Sequence, residues 1–312
     1  MSFVINIGAS LKINIRYLKQ KLNEAYDINV TDVTPLSSMH ELYKLKTTCS
    51  RRYVVKLYKV SDCSLSQLTS ITEFNASLKA DGVSVTLPKK GVDGDYVQHL
   101  GDKYAVLSHF VHGDTVSTIS ASQCYLFGRE CARLHLTKSR QDLPDKKAKE
   151  LLTFPLLNIK AGYSHKQQEI DVIENLATQA ELSLSKLSLP EVLCHGDFHW
   201  GNAIFSSQQV TILDFDFCCR SWRIYDPVVF LWNLLFTNCG DIKQQWSAFL
   251  SGYQSISVLS DEELNAIPWV LVAQNIWHIG FIGEAKIDEW DFDDYWFDRK
   301  FELFEVIREI CP

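Results

Sequence analysis

A change of hydrophobic period near residue 110 constrains the fold more than any other feature of the chain. Before it, apolar residues mostly alternate in short runs; after it, they recur every three or four residues. Asn14–Tyr26 carries Ile15, Leu18, Leu22 and Tyr26 on one helical face, with charges between them. Asn29–Pro35, His40–Lys46 and Arg52–Tyr58 read as short strands separated by polar turns, an antiparallel meander. Ser66–Ala80 places Leu68, Ile71, Phe74 and Leu78 on one face and stops at Asp81-Gly82, so it reads as a helix. Tyr96–Leu100 and Tyr104–Phe110 flank a Gly101-Asp102 turn as two further strands. Helical patterns then cover Ala121–Thr137, Lys166–Leu187, Asp226–Phe236, Ile242–Tyr253, Asp261–Gly283 and Asp294–Cys311, and only Asn202–Phe205 and Val210–Phe217 read as strands. A β-rich front and a helical rear, without alternating βαβ units, predict an α+β chain of two lobes, 1–110 and 111–312. No linker rich in Pro or Ser divides them, so the joint is expected near Ser108–Gly113.

The bulk properties narrow the partners. The 312 residues carry a formal net charge of −7, which disfavours nucleic acid, whose binding is largely phosphate neutralisation by Lys and Arg. The N-terminus lacks the basic region and small-residue cleavage site of a signal peptide. No apolar run is expected to reach the ~18 residues of a membrane span; the nearest, Pro227–Phe236, is short and holds Asn233. Nine cysteines without regular spacing and without a C-x-x-C pair argue against a disulfide framework or a zinc site, and predict free thiols in a cytoplasmic protein. Nothing in the sequence bears on the oligomeric state.

The densest chemistry lies in Cys194-His195-Gly196-Asp197-Phe198-His199-Trp200-Gly201-Asn202, followed by Leu213-Asp214-Phe215-Asp216. Asp197 sits in a glycine-flanked loop with Asn202, and Asp214 follows near the end of a β-branched strand. Phosphoryl transfer needs a carboxylate to receive a hydroxyl proton and oxygen ligands to hold Mg²⁺ against phosphates, and this set contains both. The alternative of a binuclear hydrolase run, His195-x-Asp197-x-His199, lacks further histidines at compatible positions, since only His278 follows.

The motif His195-Gly196-Asp197-x-His199-x-Gly201-Asn202 with Leu213-Asp214-Phe215-Asp216 resembles that of the aminoglycoside phosphotransferase and choline kinase superfamily. The resemblance implies a bilobal protein-kinase-like fold, with a small antiparallel sheet carrying one inserted helix in front and a larger helical lobe behind. It implies ATP or GTP as donor and Mg²⁺ as cofactor. It makes Asp197 the catalytic base, Asn202 and Asp214 metal ligands, Asp216 an additional acid and His195 a structural residue under the loop. Lys56, mid-strand in Val54–Tyr58, and Glu73 on the following helix resemble the kinase Lys–Glu pair that grips the nucleotide phosphates. His109 and Val111 resemble hinge residues whose backbone groups meet the adenine edge. Gly128-x-x-x-Ala132-x-Leu134-His135 resembles the helix behind the hinge, and Asp226 the aspartate that accepts N–H groups of the catalytic loop. The turn expected to cover the phosphates, Leu36-Ser37-Ser38-Met39-His40, departs from the pattern in having no glycine, which leaves Ser37 and Ser38 as its donors.

The acceptor is less defined. His199 is read either as a substrate or phosphate contact or as loop packing. The acidic, aromatic stretch Ile287–Asp298, with Asp288 and Trp290, is either a helix-entry loop or the wall of an acceptor pocket, with Trp277 on the preceding helix as its neighbour. A small-molecule hydroxyl is the expected acceptor, because only Phe217–Tyr225 separates the Asp-Phe-Asp segment from Asp226 and offers little platform for a peptide. The alternatives are a Ser/Thr protein kinase of the stress-response kinase A type and a catalytically silent nucleotide-binding regulator.

Overall fold

The structure, a computed structural model, describes residues 13–37, 40–207, 209–287 and 294–310. In chain order its elements are α1 (Ile15–Tyr26), β1 (Val30–Pro35), β2 (Leu42–Thr47), β3 (Arg52–Lys59), α2 (Leu65–Ala80), β4 (Val97–Leu100), β5 (Lys103–His109) and α3 (Ala121–His135). There follow α4 (Phe154–Gly162), α5 (Gln167–Leu184), β6 (Glu191–Cys194), β7 (Ala203–Phe205), β8 (Val210–Ile212) and β9 (Cys219–Trp222). The chain ends with α6 (Tyr225–Thr237), α7 (Ile242–Gln254), α8 (Asp261–Ile287) and α9 (Tyr295–Ile310). It divides into two compact units.

The first unit comprises Met1–Thr115, Thr137–Leu143 and Ala203–Asp216. Its core is an antiparallel sheet of order β1-β2-β3-β5-β4. Strand alternation sorts β3 into two faces: Tyr53, Val55 and Leu57 are buried in one cluster with Leu18, Leu22 and Tyr26 of α1, leaving Val54, Lys56 and Tyr58 on the other. α1 begins where Asn14 Oδ1 accepts the N–H groups of Arg16 and Tyr17 at 2.9 and 3.2 Å. α2 is inserted between β3 and β4, capped by Ser64 and buried through Leu68, Ile71, Thr72, Phe74 and Leu78. The expected boundary at 110 is therefore not a simple cut: the β7–β8 hairpin belongs to this unit, tied in by the bridges Val85↔Ile212 and Asp114↔Phe205.

The second unit comprises Val116–Leu136, Pro144–Asn202 and Phe217–Pro312. All the helices expected behind the sheet are present, and α4, entered through a π-helical turn over Lys149–Thr153, is an addition to them. So are the two short strands β6 and β9, paired antiparallel with Cys194 opposite Cys219. α8 is, contrary to expectation, long and apolar enough by length and composition to cross a membrane. It is nevertheless a core helix: 72% of its apolar stretch is buried, and it packs on α4, α5, α6 and α9. Two of its buried polar side chains are satisfied inside the unit, Gln274 by Tyr225 and Asn275 by Trp232 and the Lys300 carbonyl, whereas His278 Nδ1 has no hydrogen-bond partner among the described residues. No disulfide joins the cysteines among the described residues.

Candidate active site

In the helical unit, β6 delivers the loop that starts at His195. Gly196 adopts φ +81°, and a Cβ there would lie 1.9 Å from the Phe217 carbonyl oxygen, so no other residue fits. The wholly buried Asp226, in the first turn of α6, accepts the N–H of His195 at 2.7 Å and of Gly196 at 2.9 Å. Its Oδ2 also lies 3.0 Å from His135 Nε2, and His135 Nδ1 lies 2.8 Å from the Tyr253 hydroxyl. Because the carboxylate can only accept, Nε2 carries the imidazole proton and Nδ1 accepts from Tyr253. Burial works against ionisation of Asp226, but His135 and the loop N–H groups outweigh it and hold its pKa below the usual range.

This anchoring sets Asp197. Its Oδ2 accepts from Asn202 Nδ2 at 2.9 Å and faces His199 Nε2 at 3.3 Å, while Oδ1 has no hydrogen bond among the described residues. Gly201 N–H donates to His199 Nδ1 at 3.1 Å, which places the imidazole proton on Nε2, directed at Asp197. Asn202 Nδ2 also reaches the Asp197 carbonyl at 3.1 Å, so the amide's nitrogen is spent on the loop and its other terminus is an oxygen, a hard-cation ligand. Burial raises the Asp197 pKa, yet His199, His195 and Lys146 together hold it well below the usual carboxylate range.

Lys146 carries no signal in the sequence, because everything it meets comes from distant segments. Its side chain is buried, with Nζ 3.3 Å from the Gly196 carbonyl oxygen and 3.5 Å from the centre of the Trp277 ring. Trp277 itself packs edge-on against Phe217 and stacks on Phe281, both partly exposed.

In the sheet unit, Lys56 Nζ lies 2.7 Å from both Asp214 Oδ1 and Asp216 Oδ2. Asp214 does not extend a strand, as expected from sequence, but follows the end of β8 in the left-handed region at φ 57°, a conformation Asp tolerates. Tyr58, two residues after Lys56 on the same face, donates its hydroxyl to Asp216 Oδ1 at 2.9 Å. Burial works against the Lys56 ammonium, and the two aspartates overcome it and raise its pKa. Burial and the Asp214 charge in turn raise the pKa of Asp216. Two carboxylates share one ammonium here, and the surplus negative charge on oxygen donors suits a divalent cation such as Mg²⁺. Glu73 is exposed on α2, and the ion partners of Lys56 are Asp214 and Asp216 instead.

Of the remaining expected residues, His109 closes β5, its N–H donating to the Leu87 carbonyl at 2.9 Å and its ring tilted against Tyr53. Val111 follows in the irregular segment after β5. Ser37 Oγ accepts the His40 N–H at 3.0 Å and so closes its own turn. Ser38, Asp288 and Trp290 lie outside the described residues.

An antiparallel sheet with one inserted helix, and a helical unit bearing a His-Gly-Asp loop, define a protein-kinase-like α+β fold. An amicoumacin kinase solved with AMP-PNP and Ca²⁺ shares it, with a TM-score of 0.79 at 19% identity over 96% of this chain and 95% of that one. The model of the phosphotransferase enzyme family matches residues 32–257, and the chain belongs to that family. A protein of Deinococcus radiodurans is 26% identical over 244 residues, 74% of this chain and 71% of that protein. A homoserine kinase of Rhizobium rhizogenes is 27% identical over 195 residues, and the match spans 61% of either length.

Proposed function

We propose that the chain transfers the γ-phosphoryl group of ATP or GTP to a hydroxyl of a small molecule: an antibiotic, amino alcohol, amino acid or sugar derivative. The observation that carries this reading is the Asp197 carboxylate, ionised, oriented through Oδ2 by Asn202 and His199, with Oδ1 left for an acceptor. In the proposed step the acceptor oxygen bonds to the γ-phosphorus, the bond to the β-phosphate oxygen breaks, and the hydroxyl proton passes to Asp197. A carboxylate held this far below its usual pKa is a weak base, so it takes the proton late, once phosphorus has made the hydroxyl acidic. Orienting the nucleophile is then its larger contribution. Lys56 exchanges its aspartate partners for phosphate oxygens. Asp214, Asp216 and the Asn202 amide oxygen would hold Mg²⁺, which neutralises phosphate charge when bound.

In this reading the sheet unit binds the nucleotide and the helical unit the acceptor. His109, whose N–H is committed to Leu87, offers a base its carbonyl, and Val111 its N–H. Trp277, with Phe217 and Phe281, gives the acceptor an aromatic edge. A small acceptor is favoured over a protein because the segment between Asp216 and Asp226 is short and Cys219–Trp222 within it is taken up in pairing with β6. The kinases named above, of amicoumacin and of homoserine, agree with an acceptor of that size.

The test is a screen of hydroxylated amino acids, amino alcohols and aminoglycosides with ATP and Mg²⁺, read by mass spectrometry for a gain of one phosphate. Transfer should be lost in Asp197→Ala, by about 10²-fold or more, while the thermal shift with MgATP persists. Full activity in that variant overturns the role of Asp197. Phosphorylation of a protein acceptor alone would favour the protein-kinase reading, and MgATP binding without transfer to any acceptor the silent regulator.

A further inference from the structure

We infer that Lys146 is a positioning residue for the transfer, holding the peptide that leads into Asp197; this rests on the role proposed for Asp197. Three polar edges of the peptide units around Gly196 are bound: the Gly196 N–H by Asp226 Oδ1 at 2.9 Å, the Gly196 carbonyl by Lys146 Nζ at 3.3 Å, and the Asp197 N–H by His195 Nδ1 at 3.3 Å. A glycine has the widest backbone freedom of any residue, so a loop turning on one needs outside restraint if the next side chain is to keep its aim. Buried charges of opposite sign supply that restraint at both ends of Gly196.

Lys146 reaches the carbonyl from a rigid base. Its own N–H donates to the Arg220 carbonyl at 2.9 Å, and its carbonyl accepts from Ser221 Oγ at 2.5 Å, which fastens it to β9. The ammonium is enclosed by Trp277 at 3.5 Å, Tyr225 at 5.3 Å and Phe217 at 5.5 Å to ring centres. Such rings offset part of the cost of desolvating a cation, but they do not point it. The hydrogen bond to Gly196 does. Burial lowers the lysine pKa, and the charges of Asp197 and Asp226 act in the opposite sense. A lysine present only to fill the core between β9 and α8 would affect stability and leave turnover alone.

The experiment compares wild type, Asp197→Asn, Lys146→Met and Lys146→Arg for ADP formation from MgATP with water as acceptor, together with amide hydrogen exchange of the segment 195–202. Lys146→Met keeps the packing volume and removes the donor. The expected result is a loss in kcat of about 10²-fold with KM for MgATP unchanged, partial recovery in Lys146→Arg, and faster exchange in 195–202 while α8 is unaltered. A folded Lys146→Met protein with wild-type kcat overturns the inference, whatever its Tm. If water turnover in wild type is too slow to measure, exchange decides: acceleration confined to 195–202 supports the inference, and none overturns it. Wild-type turnover in Asp197→Asn would sink the reading of Asp197 itself and this inference with it. An inactive Asp197→Asn beside a fully active Lys146→Met would sink the inference alone.

Discussion

Lys56 gains its role from strand alternation. Tyr53, Val55 and Leu57 are drawn into the core with α1, so Lys56 and Tyr58 must share the opposite face. α2 obeys the same logic to the opposite effect: burying Leu68, Ile71, Thr72, Phe74 and Leu78 turns Glu73 outward. The charge that meets Lys56 therefore comes from the segment just after β8, and the Tyr58 hydroxyl steadies Asp216 from the side. Lys56→Met is expected to raise KM for MgATP by about 10- to 100-fold, the worth of a charge-assisted hydrogen bond. Glu73→Ala should stay within about two-fold, as befits an exposed acid. Nucleotide titration by calorimetry checks both, and equal damage from the two substitutions would restore Glu73 to the site.

Among the elements, α3 and α7 make the closest helix contact in the helical unit. A Cβ on Gly128 would lie 2.1 Å from the Phe249 carbonyl oxygen, and one on Gly252 would lie 2.0 Å from that of Tyr125. Backbone met this closely cannot be moved as a flexible side chain can. That approach puts His135 of α3 within reach of Tyr253 of α7, and so holds the imidazole that braces Asp226. In Gly128→Ala the gain of about 1 kcal/mol in helix propensity opposes an overpacking cost of about 1–3 kcal/mol. With the clash against backbone, overpacking wins. A Tm lowered by about 2–4 °C per kcal/mol of net loss is expected in calorimetry, and an unchanged or higher Tm would show that the helices can part.

At the scale of the molecule, the stability of the helical unit and its chemistry share the Asp226 network, which joins α3, α6, α7 and the catalytic loop. The folded pKa of Asp226 is depressed, against the effect of its burial, by His135, His195 and the Gly196 N–H. Its contribution is therefore fully present above the unfolded value of about 3.9 and is lost as pH falls through the folded value. Asp226→Asn keeps the shape but turns one acceptor into a donor facing N–H groups. Near neutral pH it should cost about 3 kcal/mol or more in chemical denaturation, and the gap from wild type should close below about pH 4 as the wild-type carboxyl protonates. A gap independent of pH would show that the carboxylate charge is not what the network uses.

Much of this was legible in the sequence, because it depends on local order. The period change near 110 named the α+β class, and each helix with a continuous apolar face was found within a few residues. Asp197, Asn202, Asp214 and Lys56 stood out because their spacing suits the chemistry. β6 and β9 did not: each is four residues long, and they are joined only by pairing across the intervening loop and hairpin. Lys146 was invisible for the same reason, since its carbonyl partner and its three rings come from positions 196, 217, 225 and 277. Sequence alone determined which side chains could carry phosphoryl transfer. Tertiary structure decided that Lys56 meets Asp214 and Asp216 while Glu73 faces solvent, and that Asp197 rests on a glycine held by Asp226 and Lys146. Those outcomes follow from which faces are buried and how closely backbones approach, and local pattern does not encode either.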